Sequence, residues 1–335
     1  MKRWVLLGLI GLSSAGSPLL QAAEKSSVDQ AREALAKQDE GDEAKKLEEV
    51  FTATEKNYSL LKKGKMSLNY GLDYSYFGDQ RLDVDIVNGS IRNFDVTPDA
   101  QHTFTNSFTF DYGVLNNLTL STRVPLVVKY ESSKNLVNTD MGDVSFTLRW
   151  QPFAYVPGKP SYTFFGTLKS KTGVSPYEID VERQLASGAG YYSVSFGASG
   201  SKVLDPVIVF GSVTATLALP ETGLNQVRGG NLLVKVDPGN TLSVSAGFSY
   251  ALSYDVSLSI SNQISFTDQT TLTFLDGREQ NTMDSLSATV NFSLGVRVSD
   301  TKLITTYMGF GLTEDSPDVM VGLSIPINIE GLKEQ

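Results

Sequence analysis

The stretch from Met66 to Tyr76 reads Met-Ser-Leu-Asn-Tyr-Gly-Leu-Asp-Tyr-Ser-Tyr, and it decides the fold of the chain. Its even positions are apolar or aromatic, and its odd positions are small or polar. Successive side chains of a strand point to opposite faces, so the segment predicts a strand with one apolar and one polar face. The pattern recurs in segments of roughly 10 to 12 residues, the length of a tilted strand that crosses an outer membrane.

Twelve segments of this kind follow one another, and the connections between them alternate in length. Connections after the odd-numbered segments are long and those after the even-numbered ones are short, apart from the short link at Asp315-Ser316-Pro317. Long extracellular loops, short periplasmic turns and an even strand number are typical of bacterial outer-membrane barrels. The sequence therefore predicts an all-β fold, a twelve-stranded antiparallel transmembrane β-barrel with a polar lumen. The predicted strands are 66–76, 104–112, 118–130, 144–150, 162–173, 192–199, 207–219, 242–252, 256–266, 286–296, 302–312 and 319–327.

Composition narrows the functional classes. The chain of 335 residues has no cysteine, one histidine and a formal net charge of -9. Without cysteine there is no disulfide, thiol nucleophile or cysteine metal site. The acidic balance argues against a nucleic-acid partner. Mean hydropathy is -0.10, too low for a helical membrane protein, whereas only alternate residues of a barrel strand touch lipid.

The first 23 residues are predicted to be a secretory signal peptide. Lys2 and Arg3 precede an apolar core at 5–12, and small residues follow. Cleavage is expected after Ala23, with a site near Ala15 as the alternative. Residues 24–65 are then expected to form a short periplasmic helical segment and hinge. Residues 66–329 are expected to form the barrel, in the outer membrane of a Gram-negative bacterium, and residues 330–335 a C-terminal tail.

Residues 24–61 have the composition and spacing of helices rather than strands. The apolar positions make a short heptad stripe that is too short for a stable isolated helix, so it needs a partner. That partner could be another copy of the chain, a periplasmic protein or the barrel lumen. The stripe runs from Leu47 to Leu61, and a separate apolar set at helical spacing precedes it, beyond an interruption at 39–43. Together the two sets are the candidate plug and oligomerisation surface. Its members are Val28, Ala31, Leu35, Leu47, Val50, Phe51, Tyr58 and Leu61.

Charged residues in the predicted strands fall on the polar parity, where they would face the lumen. A charge on the lipid parity would cost a few kcal/mol near the bilayer midplane. Such inward charges either select among solutes or pair across the lumen and simply solvate it. The candidates are Asp73, Asp111, Arg123, Lys129, Asp143, Arg149, Lys169, Lys171 and Arg297.

Catalytic and metal chemistry find little support. His102 is the sole imidazole, and Ser107 lies nearby, but His102 falls on the lipid parity and no Gly-x-Ser-x-Gly elbow occurs. Loop aspartates such as Asp83 and Asp95 could bind calcium but lack the spacing of a calcium loop. The sequence predicts no enzyme and no cofactor.

Several short stretches resemble the outer-membrane transporter barrels related to the phenol-degradation MetA family. The order of signal, helical segment and twelve strands is similar to the Fap functional-amyloid secretion channels of pseudomonads. In those channels the helical segment is thought to plug and assemble a trimer, so the resemblance implies that residues 28–61 form a plug and a homotrimer contact. The stretches are YGVLNNLTL at 112–120, GDVSF at 142–146, DPVIVFGS at 205–212, VDPGN at 236–240 and GLTEDSPD at 311–318.

Three functions remain open at this point. The leading hypothesis is an outer-membrane channel that exports an unfolded secreted polypeptide, such as an amyloid or biofilm matrix subunit, and is gated by the helical segment. The alternative is passive diffusion of small, possibly aromatic, solutes. The third is a structural or adhesive barrel with a filled lumen. The heptad stripe favours export, because a simple diffusion barrel has no need of it.

Overall fold

The computed structural model describes residues 60–327 apart from 88–89, 155, 157, 205, 229, 254 and 300–301, and for 79–99 it describes the backbone alone. The predicted signal peptide, helical segment and tail lie outside the described residues, except for Leu61 and the hinge. In the part of the chain that is described, no helix is long and apolar enough to cross a membrane.

The described residues form seventeen strands. They are β1 (Met66–Val87), β2 (Ser90–Leu115), β3 (Leu118–Glu131), β4 (Leu136–Met141), β5 (Ser145–Trp150), β6 (Ser161–Lys169), β7 (Ser193–Leu204), β8 (Val207–Ala218), β9 (Glu221–Arg228), β10 (Asn231–Asp237), β11 (Thr241–Ala251), β12 (Val256–Thr267), β13 (Thr271–Phe274), β14 (Glu279–Asn281), β15 (Ser285–Ser299), β16 (Lys302–Gly311) and β17 (Val319–Ile327).

Twelve of these strands close a single antiparallel ring, which confirms the predicted fold. The order around the ring is β1-β2-β3-β5-β6-β7-β8-β11-β12-β15-β16-β17. The ring closes where β1 pairs with β17, from Leu68 opposite Ile327 to Tyr76 opposite Val319. Closure leaves no free edge, so the backbone hydrogen bonds of the wall are satisfied within the ring.

The outer face of the ring is apolar, on the parity that the sequence predicts. Phe196 is 60 % exposed, Val213 50 % and Leu168 48 %. Aromatic pairs lie towards both ends of this face, with Trp150 and Phe164 6.1 Å apart at one end and Tyr74 and Phe104 4.8 Å apart at the other. A band of this kind flanked by aromatic residues is the surface that a barrel presents to lipid.

The two ends of the barrel differ. Met66 and Ile327, where the ring begins and ends, lie at the end with short turns, which in bacterial barrels is the periplasmic end. At the opposite, loop end, the predicted polar loop at 79–101 proved wrong. There β1 and β2 continue to pair as far as Val87 opposite Ser90. Leu82, Val84 and Ile86 keep the period-two alternation among the charges, which explains the long hairpin.

Three other predicted loops also contain strands. Residues 131–140 include β4, which extends the wall beside β3. The connections at 221–240 and 267–284 contribute β9, β10, β13 and β14 to a separate four-stranded sheet. This small sheet has its own apolar cluster of Leu224, Leu233, Val236 and Phe274. Apolar residues in a Gly-rich connection carry a weak sequence signal, because such short strands become stable only when they bury a common core.

The VDPGN stretch marks where the wall gives way to the small sheet. A Cβ on Gly239 would overlap the carbonyl oxygen of Asp268, so these two segments of the backbone approach more closely than any residue with a side chain would allow. On one side of Gly239, Asp237 pairs with Thr271 of β13 in the small sheet. On the other side, Thr241 pairs with Thr267 of β12 in the barrel wall. Predicted strand five likewise stops at Lys169 rather than at 173, because Ser170 and Thr172 bond to Val144 and Gly142 instead of continuing the ladder.

Candidate channel lumen

Asp111 is the centre of a polar cluster near the periplasmic end of the lumen. Its carboxylate accepts hydrogen bonds from Ser67 (3.1 Å), Asn69 (3.2 Å) and Ser121, and Arg149 Nη1 lies 3.7 Å away. The donors come from both neighbours of β2 in the ring, β1 and β3, and from β5 beyond β3. Through these contacts the Asp111 carboxylate joins four strands of the wall from the inside, at a site where the residue is only 9 % exposed.

Asp73 forms a second cluster where the ring closes. Arg123 Nη2 lies 3.3 Å from one carboxylate oxygen, and the Tyr307 hydroxyl donates to the other at 2.9 Å. Arg123 also donates to the hydroxyl of Ser107 at 3.4 Å. The cluster therefore links β3 to β16 through the lumen surface, across the junction of β1 with β17.

Asp143 holds the β6–β7 loop, residues 170–192, against the barrel. Its carboxylate accepts the backbone N–H groups of Gly173 (3.1 Å) and Ala189 (2.7 Å), and Lys169 Nζ lies 3.7 Å away. A Cβ on Gly188 would collide with the same carboxylate, so the loop needs glycine there. The GDVSF stretch at 142–146 is thus explained by loop docking.

The same loop is tied to the small sheet. Lys171 Nζ lies 2.6 Å from Glu221, and the hydrogen bond and charge of Glu221 raise the pKa of Lys171 above its usual value. Arg228 Nη2 donates to the carbonyls of Pro176 (2.5 Å) and Ile179 (2.8 Å). Tyr177 packs on the apolar cluster, and burial raises the pKa of its hydroxyl. The loop therefore bridges the barrel and the sheet at the loop end.

Two predicted lumen charges stand outside these clusters. Arg297 lies on the inward parity of β15 at the periplasmic end, and its backbone N–H donates to Asp255. Lys129 lies on the inward parity of β3, opposite Thr103 and Asn138 on its neighbours. Among the described side chains, no carboxylate lies within ion-pair distance of Lys129, which sets it apart from Arg123, Arg149 and the loop-end lysines.

Because no carboxylate among the described side chains lies within ion-pair distance of Lys129, Lys129→Glu is expected to shift ion selectivity towards cations. The field in a narrow, low-dielectric lumen makes one charge count for more than it does in open water. The measurement is the reversal potential of the purified protein in planar bilayers under a KCl gradient. Lys202→Glu is the matched control, because Lys202 lies on the outward parity of β7 and should leave the reversal potential unchanged.

The opposite wall is neutral. Hydroxyl side chains on β7, β8, β11 and β12 pair across strands, as in Ser195 with Thr216 (2.8 Å) and Ser212 with Ser245 (2.7 Å). A cavity of about 430 Å³ opens on the part formed by β12, β15 and the β16–β17 region. Its lining carries hydroxyl, amide and apolar groups without a formal charge. The lining residues are Gln263, Ser265, Ser287, Thr289, Asn291, Ser293, Tyr307, Pro317 and Met320.

Three aromatic residues on the lumen parity cover glycines of neighbouring strands, and the sequence reasoning missed them. Phe165 lies over Gly197, Phe210 over Gly247 and Tyr307 over Gly322, each ring occupying the space that a Cβ would fill. They sit on the polar parity, where the alternation predicts small or polar residues. Their glycine partners lie on neighbouring strands at the same register, a signal that becomes readable only when the pairing is known.

The GLTEDSPD stretch closes the wall above β16. Leu286 N–H donates to Asp315 (2.8 Å), and the Ser316 hydroxyl donates to the carbonyl of Ala288 (2.9 Å). Asp318 accepts the N–H of Gly78 in β1 at 2.7 Å. This short loop thus satisfies the backbone of β15 above its last pair with β16. It explains why the link after the eleventh barrel strand is short.

His102 lies on the outward face, in an aromatic cluster. The Tyr74 hydroxyl is 2.9 Å from Nδ1, and the rings of Tyr76 and Tyr130 lie 5.2 and 5.7 Å from the imidazole. Ser107 is on the opposite, lumen face and 4 % exposed. The two residues considered for hydrolysis are therefore separated by the barrel wall, and His102 belongs to the aromatic belt at the loop end.

The hinge before β1 folds onto the inside of the periplasmic rim. Leu61 N–H donates to Thr119 Oγ1 (3.0 Å), and Thr119 faces inward and is 1 % exposed. Lys63 N–H donates to Asn116 Oδ1 (3.1 Å), and Gly64, with a φ of 76°, turns the chain back towards β1. We call residues 60–65 the strap. It rests on Gly113, where a Cβ would overlap the carbonyl of Lys62.

Comparison with known proteins supports the barrel fold. No protein-family model matches the chain. The COG4313 outer membrane channel from Pseudomonas putida F1 is similar with a TM-score of 0.59 and 15 % identity, over 81 % of this chain and 97 % of that one. The translocator domain of the autotransporter NalP from Neisseria meningitidis gives a TM-score of 0.47 at 12 % identity, over 92 % and 100 % of the two chains.

A closed antiparallel ring with an apolar outer band and a polar interior is the one β architecture that satisfies its backbone within lipid. Bacterial proteins of this build reside in the outer membrane of Gram-negative cells. This chain is an outer-membrane β-barrel. The predicted placement of the barrel in that membrane, with lipid as its outer partner, follows from the fold, while the Fap resemblance and the homotrimer stay predictions.

Proposed function

We propose that this barrel is an outer-membrane channel that exports an unfolded polypeptide, such as a subunit of an amyloid or biofilm matrix, and that its N-terminal segment gates the lumen. The strap carries the proposal. Its hydrogen bond to the inward Thr119 and its seat on Gly113 fasten residues 60–65 to the lumen side of the rim. A segment that only tethered the barrel would have no reason to be fastened inside it.

The lumen surface is consistent with passage of an extended chain. Asp73, Asp111 and Asp143 are each paired with a cation, and the opposite wall is neutral. A lumen charge that is paired in place, as in these three clusters, holds a passing polypeptide less tightly than an exposed single charge would. On the neutral wall, hydroxyl groups on alternate residues of the strands offer a passing chain weak, exchangeable hydrogen bonds.

Deleting residues 24–59 while keeping the signal and the strap tests the gate. The shortened barrel is expected to show a larger and steadier single-channel conductance than the full chain in planar bilayers. Conductance identical to that of the full chain would overturn the gating role. Export is tested separately, by asking whether loss of the gene removes a secreted matrix polypeptide from the cell surface.

Diffusion of small solutes is the second candidate, and the neutral cavity of about 430 Å³ favours it. Pockets of a few hundred cubic ångströms suit drug-sized molecules. With Phe165 and Phe210 also facing the lumen, a small aromatic solute is the natural passenger. Reduced uptake of such solutes after gene deletion, with matrix secretion intact, would select diffusion over export.

The predicted plug and homotrimer surface belongs to the same proposal. Of its eight residues, Leu61 alone is described, and its backbone N–H takes part in the strap. The other seven lie outside the described residues. Trimer formation through this segment predicts that removal of residues 24–59 lowers the oligomer mass as well as opening the channel.

A further inference from the structure

Asn262 is a polar residue on the lipid-facing side of the barrel. It lies near the middle of β12 and pairs with Ala246 and Val290, both on the outward parity. Its neighbours along the strand, Ser261 and Gln263, point the other way, and Gln263 lines the lumen cavity. The Asn262 side chain is exposed, so its amide reaches the hydrocarbon region of the bilayer.

Two other polar groups on this face are satisfied within the barrel. Asn106, also outward, accepts a hydrogen bond from the Tyr70 hydroxyl at 2.6 Å. Thr306 donates to the carbonyl of Gly322 at 3.1 Å. The side-chain amide of Asn262, by contrast, makes no hydrogen bond with any described group. Leaving an amide unpaired in an apolar medium is unfavourable, and it is more unfavourable in hydrocarbon than in a protein interior.

The surface around Asn262 has room for a close approach. Gly211 and Ala246 continue its row across β8 and β11, and a Cβ on Gly211 would meet backbone atoms alone. We call Gly211, Ala246 and Asn262 the notch. Larger exposed side chains border it on both sides, so the notch is a recess in the apolar band. The bordering residues are Val209, Val213, Val244, Phe248, Ile264 and Phe292.

We propose that the notch is the contact surface for a second copy of this barrel, joined through the Asn262 amides. Lipid acyl chains offer no donor or acceptor, so lipid cannot satisfy this group. A primary amide carries both a donor and an acceptor and is therefore complementary to itself. Symmetric contacts bring identical patches together, and small residues beside the amide let the two walls approach closely. This contact is distinct from the N-terminal segment and does not rest on what the channel carries.

The absence of cysteine from the chain makes the test direct, because a single introduced thiol is the only one present. Asn262→Cys is purified, reconstituted into lipid vesicles and oxidised with a membrane-permeant copper complex. The expected product is a disulfide-linked band at twice the monomer mass. Asn106→Cys, which places a thiol on the same face at a site already satisfied internally, is the matched control and should remain monomeric.

A second variant and measurement keep the test valid if the cysteine variant does not fold. Asn262→Leu is expected to fold, to keep its heat-dependent gel shift and to run as a smaller particle than the parent barrel in lipid nanodiscs. A parent barrel that is monomeric in nanodiscs would overturn the proposal. So would equal cross-linking at positions 262 and 106, or an Asn262→Leu particle of unchanged mass.

Discussion

Alanine at position 113 is expected to release the strap from the barrel. Gly113 has ordinary extended backbone, so alanine itself brings no strain, but its Cβ would overlap the backbone carbonyl of Lys62 and crowd that of Leu61 at 2.8 Å. Backbone cannot move aside as a flexible side chain can. The strap would lose its bonds to Thr119 and Asn116, about 1 kcal/mol each, and its bond to Gly113 O.

Trypsin reports this release, because Lys62 and Lys63 are exposed within the strap. A loss of about 2–3 kcal/mol corresponds to a rise in cleavage rate of roughly 30- to 150-fold when cleavage follows the open population. Gly166→Ala is the control, since the nearest atom to its Cβ would be 3.8 Å away. Equal cleavage of the two variants would show that the strap is not seated on Gly113.

The same substitution bears on gating. If the strap aims the N-terminal segment into the lumen, Gly113→Ala should raise the single-channel conductance in the direction expected for deletion of residues 24–59. Rapid cleavage without a change in conductance would show that the strap is seated on Gly113 but does not control gating of the lumen.

Removing the Asp111 carboxylate is expected to give the largest loss of stability in the wall. Asp111→Ala leaves Ser67, Asn69 and Ser121 without their acceptor and Arg149 without its counter-ion. Breaking a largely buried charged cluster on one side costs about 2–4 kcal/mol, with water in the lumen replacing part of the loss. The measurement is urea unfolding in lipid vesicles, followed by the fluorescence of Trp150, which faces lipid.

Two further variants separate charge from shape. Asp111→Asn keeps an acceptor oxygen and should lose less stability than alanine does. Asp276→Ala removes an exposed loop carboxylate that accepts a hydrogen bond from Arg278 within its own turn, and it should leave the unfolding free energy close to that of the parent barrel. An Asp111→Ala barrel as stable as the Asp276→Ala barrel would mean that the cluster contributes nothing to holding the four strands together.

Most of the barrel could be predicted from the residues, because the signal is local. Side chains alternate between apolar and polar at Met66 to Tyr76 and again in the other barrel strands. This alternation predicts which side chains face lipid and which face the lumen. The predicted inward parity of Asp73, Asp111 and Arg123 agrees with their positions on the lumen wall. Errors occurred in connections, as at 79–101, where charged residues masked a continuing alternation.

The contacts of the candidate site could not be predicted in the same way. Asp73 meets Tyr307 across a separation of 234 residues, because closure of the ring brings the first strand against the last. Asp143 reaches the amides of Gly173 and Ala189 because the β6–β7 loop folds back onto it. Nothing in the local pattern encodes which acid meets which base, or that Phe165 and Phe210 cover glycines.

The sequence alone determined the number of barrel strands, the two faces of each and the class of protein, because alternation along a strand depends on neighbouring residues and on the solvent at each face. The tertiary structure alone decided which charges are paired, how the loop-end sheet forms and where the strap is fastened. It also showed that Asn106 is satisfied on the lipid face while Asn262 is not. These features depend on register and ring closure, which join residues that are far apart along the chain.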